Sequence, residues 1–225
     1  MSAPVDRAPL LTVPDGGERD ELAGFTARVV QLDATSVVRL RAVGDQVVAW
    51  ATTPFEVLAT RAVHGQLHPA DLTVPAAELL ASLAVVRHAE VDPGSRADAR
   101  WRAELPPAEG WRTVGEVPAA ELAALSDQGL AEARERADHG HHGGAAGGSR
   151  MPPAELLDRP VRAPGGSAVV IPLRCLFTLS GLGYLAGGDA ALVRVSSTGG
   201  GDWLRLDVPD GAVVRRRRAL LPLVF

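Results

Sequence analysis

At 225 residues the chain is long enough to bury a sizeable core, as one larger domain or two small ones. Its formal charge of -4, with all 23 basic residues Arg and none Lys, excludes bulk attraction to nucleic acid but leaves room for a local basic patch. A single cysteine, Cys175, excludes an internal disulfide framework, and no apolar run suits a secretory leader or a bilayer-spanning helix, so a cytoplasmic, non-membrane protein is expected.

Residues 1–20 contain Pro4, Pro9, Pro14 and a Gly16-Gly17 pair, and are expected to form a flexible N-terminus. A four-strand antiparallel meander is predicted from Phe25 to Gly65. Its segments are 25–32, 36–43, 46–52 and 55–63, with turn signals at Asp33-Ala34-Thr35, Gly44-Asp45 and Thr53-Pro54. Val38, Leu40 and Ala42 alternate with Val37, Arg39 and Arg41 and are assigned to the core face, with the same period at Val48/Trp50 and Leu58/Thr60/Ala62. Next comes a helix with Thr73 as N-cap, Pro75 in the first turn and Leu79, Leu80 and Leu83 as its apolar stripe. Residues 89–110 lack a regular pattern, and Trp101 and Trp111 are read as packing anchors.

A second helix is predicted from Val117-Pro118 to Ala137, with Leu122, Leu125 and Ala133 on one face, Leu130 offset and Gly129 weakening the middle. The hexapeptide VPAAEL occurs at 74–79 and again at 117–122, with PPAELL at 152–157. This is either an internal duplication of a helix start or chance in an Ala/Pro-rich chain. Residues 138–150, rich in Gly and His, read as a linker. Beyond it come a helical turn at 152–158, a strand at 160–162 with a partner at 168–170, and a helix from Pro172 to about Leu185. Strands follow at 190–196, 202–208 and 212–216. The apolar tail 219–225 suits a sheet or an intermolecular contact.

The fold class expected is therefore α+β, antiparallel sheets with packed helices in two similar halves. The plan is a flexible 1–20, a domain over 21–137, a linker over 138–150 and a domain over 151–225.

Chemistry-bearing residues are sparse. Asp138, His139, His141 and His142 carry metal-ligating groups but lack the spacing of a structural zinc site, so a solvated loop and no metal are expected. Thr198-Gly199-Gly200-Gly201-Asp202 lacks the lysine and the following helix of a phosphate loop and is read as a hairpin turn. His64, His68 and Asp71 fall together in a loop and could act as an acid/base cluster, but no nucleophile accompanies them. Cys175 sits in an apolar run and reads as a buried hydrophobe. The concentrated basic feature is Arg215, Arg216, Arg217 and Arg218, a candidate nucleic-acid contact. Strand geometry would point alternate members to opposite faces.

The Arg-for-Lys usage and the Ala, Gly, Pro and Val bias resemble actinobacterial proteins from GC-rich genomes. Within 46–83, VVAWATTPFEVLATRAVHGQLHPADLTVPAAELLASL resembles one domain of the bacterial DNA polymerase sliding clamp, where a strand meander precedes a proline-started helix. That resemblance implies a nucleic-acid-associated, clamp-like role as the alternative. The leading expectation is a non-enzymatic structural or protein-interaction protein, a homo-oligomer or the partner of another protein, without a cofactor. A small-molecule enzyme ranks third.

Overall fold

The computed structural model describes residues 8–139, 152, 154–162, 170–186 and 191–217. Its packing divides the chain into two units, 1–53 with 58–105, and 54–57 with 106–225. The sequence placed the division at 138–150; here it falls after Leu105, and the helix beginning at Ala119 packs within the second unit.

In the first unit the elements are β1 (Leu10–Thr12), α1 (Gly16–Leu32), β2 (Val37–Val43), β3 (Gln46–Thr52), β4 (Leu58–His64), β5 (Gln66–His68), β6 (Asp71–Pro75), α2 (Ala76–Val85) and β7 (Glu90–Val91). The main sheet runs β6-β2-β3-β4, all antiparallel, and a small sheet runs β5-β1-β7. Register sets the faces. Val38 lies opposite Ala51 and Val74, Leu40 opposite Ala49 and Leu72, and Val47 opposite Val63. Leu40, Ala49, Leu72 and Val74 are fully buried, as are Leu22 of α1 and Leu79 of α2. The core face expected at Val38 and Leu40 is the observed one. On β3 it is Val47, Ala49 and Ala51 that share it, while Val48 and Trp50 point to the other face with Arg39 and Arg41.

Three of the four predicted meander strands are present, and the first is not. Residues 25–32 belong to α1, which starts within the segment expected to be flexible. Asp15 accepts a hydrogen bond from the Glu18 amide at 2.9 Å and caps the helix, offsetting the two glycines that follow it. Leu22, Phe25, Thr26 and Val29 then recur at the helical period and bury one face. The fourth strand is β6, taken from residues expected to be loop and helix cap. Thr73 is not an N-cap: it lies in β6, and α2 opens after Pro75 with no side-chain cap. Proline ends the strand because it has no N–H for a ladder.

The second unit holds β8 (Trp111–Pro118), α3 (Ala119–His139), α4 (Ala154–Leu157), β9 (Pro160–Arg162), β10 (Val170–Pro172), α5 (Leu173–Gly181), β11 (Leu192–Thr198), β12 (Trp203–Val208) and β13 (Gly211–Arg216). Its main sheet runs β13-β12-β11-β8, again antiparallel, and β9 pairs with β10. Strand β8 has no counterpart in the sequence-based expectation. It is an edge strand with a bulge at Val114, because Val195 faces Gly115 while Ser196 faces Thr113, and this break hides the period of two.

Helix α5 stops short of the expected Leu185. Gly183 adopts φ 69°, its N–H reaches the Ser180 carbonyl at 2.9 Å, and the Tyr184 N–H reaches Leu179 at 2.8 Å. This is a left-handed Schellman ending that only glycine forms without cost. The apolar tail at 219–225 lies outside the described residues.

Gly129 is where α3 meets α5. A Cβ there would lie 2.9 Å from Leu173 Cδ2 and 3.2 Å from Phe177 Cε1, so the residue that weakens α3 locally also permits the contact that holds it. Gly129→Leu is expected to destabilise the protein by about 1–3 kcal/mol through overpacking, read as a lower urea midpoint at unchanged m-value.

Candidate functional site

The basic run is divided by its strand. Arg215 and Arg216 lie opposite Leu204 and Trp203 of β12 and so point to opposite faces. On the inner side the Arg215 guanidinium donates to Asp158 Oδ1 at 2.5 Å. Asp158 also takes the buried Arg174, whose Nε donates at 3.0 Å. Arg174 is only 3% exposed and donates further to the Phe55 carbonyl and the Glu56 carboxylate, both at 2.9 Å. Burial pushes the Asp158 carboxyl up, but hydrogen bonds and charge from Arg215 and Arg174 outweigh it and leave it below the usual range. Arg215 and Arg174 therefore form part of a structural ion network. Arg216 is exposed, and Arg217 Nη2 points to the Val170 carbonyl at 3.4 Å. Arg218, His141 and His142 lie outside the described residues; Asp138 and His139 fall in the last turns of α3.

His64, His68 and Asp71 take separate partners. His64 Nδ1 lies 2.7 Å from Glu18 Oε1, His68 pairs with Leu10 in the small sheet, and Asp71 grips Arg39. Among the described residues, no three His, Cys, Asp or Glu side chains come together as a metal site would require. Cys175 is fully buried, and burial pushes its thiol up to about 12, far from a thiolate at neutral pH. Thr198–Asp202 forms the β11–β12 hairpin, with Gly201 at φ 73°.

A hollow of about 290 Å³ lies on the outer face of the first unit's sheet, lined by Arg39, Asp71, Thr73, Asp98 and Trp101. Arg39 Nε and Nη2 form a bidentate pair with Asp71, both at 2.7 Å. The Arg39 hydrogen bond and charge hold the Asp71 carboxyl below its ordinary value. The Arg39 guanidinium carbon lies 5.8 Å from the centroid of Trp101, whose indole N–H donates to the Ala103 carbonyl at 2.6 Å. Asp98 Oδ1 accepts the Thr73 amide at 2.7 Å, while the Ala97 amide donates to the Thr73 carbonyl at 2.7 Å. The segment after β7 therefore occupies the outer edge of β6 at this residue. Sequence inspection missed this site, since it treated 89–110 as patternless. The usable signal was Arg96-Ala-Asp-Ala-Arg100-Trp101-Arg102, a basic stretch with an aromatic inside it.

Both units carry a four-stranded antiparallel sheet and a helix that leaves an edge strand at a proline, Pro75 in one and Pro118 in the other. This is the architecture of bacterial sliding clamps. The chain is similar to "Caulobacter crescentus pol III beta" at 15% identity and TM-score 0.56, over 92% of this chain and 64% of that one. It is likewise similar to the DNA polymerase sliding clamp from Pseudomonas aeruginosa, at 14% identity and TM-score 0.54, over 92% of this chain and 64% of that one. The DNA polymerase III beta subunit from Thermotoga maritima gives 14% identity and TM-score 0.54, with the same coverage of 92% and 64%. The chain thus spans less than two thirds of the length of these clamps, and at such identities the likeness establishes the fold. Residues 7–103 match the family described as Domain of unknown function (DUF8010). Residues 106–220, more than half of the chain, match Domain of unknown function (DUF8185), and the protein belongs to that family. No curated protein matches the chain. The α+β class of antiparallel sheets with packed helices is borne out. Among the described residues no helix is long and apolar enough to cross a membrane.

The Glu18–His64 contact supplies a pH test. The hydrogen bond from His64 and its charge hold Glu18 below its ordinary value, and the same contact raises His64 above 6.5. The stabilisation from His64 is therefore complete below its unfolded pKa and is lost as pH rises through the elevated folded value. An NMR titration should place the His64 midpoint above 6.5, and Glu18→Gln should return it towards that reference value.

Proposed function

We propose that this protein is a non-enzymatic protein-interaction module on the sliding-clamp fold, cytoplasmic, acting as a homo-oligomer or through another protein. The observation that carries this reading is the clamp-like fold over 92% of the chain, within which several carboxylates tie neighbouring segments together. Glu18 and Glu21 of α1 grip His64 and Arg61 of β4, Glu78 of α2 takes the Ser95 amide and hydroxyl, and Asp158 takes two arginines.

Clamp likeness also supports nucleic-acid association as the alternative, with Arg215, Arg216, Arg217 and Arg218 as phosphate contacts. Charge placement favours the first reading. Among the described residues, exposed positions on α1, α2 and α3 include Asp20, Glu21, Glu78, Asp127 and Glu135 against Arg134, which disfavours a phosphate backbone.

Static light scattering over a concentration series should return a mass above that of a 23.5 kDa monomer. A strict monomer at high concentration removes the homo-oligomer and leaves only the heterologous partner. Fluorescence anisotropy with labelled duplex DNA at about 50 mM salt should show no binding through the basic run. Micromolar binding abolished by Arg216→Ala with Arg217→Ala would promote the alternative.

A further inference from the structure

VPAAEL marks the same strand-to-helix corner in both units, and the two corners differ in what covers them. Pro75 lies opposite Val37, and Pro118 opposite Leu192. The amide after each proline bonds to the carbonyl of the residue before that partner, Ala76 to Ser36 and Ala119 to Ala191. By this register Thr73 and Arg39 of the first unit correspond to Glu116 and Arg194 of the second, and Glu78 corresponds to Glu121. The bulge at Val114 lies beyond this stretch and leaves the match intact.

In the first unit residues 94–101 fill the corner. Ser95 donates its amide and its hydroxyl to Glu78 Oε2 at 2.7 and 2.6 Å. Ala97 and Asp98 take the outward carbonyl and amide of Thr73, and Trp101 lies over Arg39. Gly94 lets the segment approach, since a Cβ there would lie 2.8 Å from Glu78 Cβ.

In the second unit no described residue supplies these contacts. The Glu121 Oε2 atom is buried and has no hydrogen-bond partner, a state that costs stability. Strand β8 is the sheet edge, and bonded and non-bonded pairs alternate along an antiparallel ladder, so Glu116 turns its N–H and carbonyl outward as Thr73 does. The Arg194 side chain is exposed, with the Glu116 carboxylate at 3.5 Å. Leu192 is 53% exposed, whereas Val37, in the same place, is 5% exposed.

We propose that this corner of the second unit is a docking slot for a segment of a partner protein. The segment brings what residues 94–101 bring in the first unit: a serine amide and hydroxyl for Glu121, ladder partners for the Glu116 backbone, and an aromatic ring over Arg194 and Leu192. Its spacing is that of Ser95, Asp98 and Trp101. Main-chain pairing supplies adhesion, and the carboxylate and the ring site supply selection. This rests on the interaction-module reading and gives the partner its chemistry. A second copy of the chain has no such segment to lend, because its own first unit already holds Ser95 and Asp98.

Isothermal titration of the full chain with a synthetic peptide of residues 92–101 tests the proposal. Saturable binding is expected. Glu121→Gln should weaken it about tenfold, through loss of hydrogen bonds to a charged acceptor. Ser95→Ala in the peptide alone, which leaves the protein untouched, should do the same, and the two changes together should lose little more than either one. Arg194→Ala should weaken binding about threefold through the lost ring contact. No saturable heat at millimolar peptide overturns the proposal, as does binding that neither Glu121→Gln nor the peptide serine change affects. A lower light-scattering mass for Glu121→Gln without peptide binding assigns the slot to a second copy and also overturns it. A strict monomer that binds the peptide supports the slot while removing the homo-oligomer.

Discussion

The structure depends on how a strand is converted into a helix that folds back over its own sheet. At Pro75, Pro118 and Pro172 the chain leaves a strand and enters a helix within one residue. In each case the amide after the proline finds a carbonyl outside the new helix: Ala76 on Ser36, Ala119 on Ala191 and Leu173 on Arg159. Proline cannot extend the ladder, and its fixed φ suits a helix entry. The first free N–H of each helix is thus satisfied by a neighbouring segment, which fixes where the helix starts and which face it turns inward. Leu79, Leu122 and Leu176, all fully buried, depend on that placement.

This junction also explains how much of the fold was legible. VPAAEL stands at two of the three sites, and the identical words form identical strand-to-helix corners in separate units, which supports a duplicated plan. Strands β2, β3 and β4 were legible as strands from their alternation, but the core face was legible only on β2, because Trp50 of β3 and Thr60 of β4 are buried on the other face. Segment 25–32 misled because Arg28-Val29-Val30 reads as strand locally, while its helix is fixed upstream by Asp15 and by Leu22 at the helical spacing. Strand β8 was illegible because an edge strand is poorly buried and the bulge at Val114 shifts its period midway. Gly129 looked like a defect until its neighbour across the interface, α5, was known.

The candidate sites were less legible, because a charge says nothing of its partner. Arg215 and Arg216 are adjacent and alike in sequence, yet one reaches Asp158 while the other points to the opposite face of the strand. His64 was grouped with residues near it in the chain, whereas its partner, Glu18, comes from the first turn of α1. Arg39 reaches Trp101 and Asp71 from another strand and another loop. Each pairing is set by register and helix placement, which a single sequence specifies only through the whole fold.

The segment at the outer edge of β6 bears on growth. Thr73 offers its carbonyl and amide outward, and Ala97 and Asp98 take both. To another copy of the chain this edge looks as though a neighbouring strand were already there. Sheet extension from the first unit is terminated at that residue, much as a capped end stops a polymer. A copy that meets the first unit at Thr73 must therefore do so through side chains and not through the ladder groups of that residue.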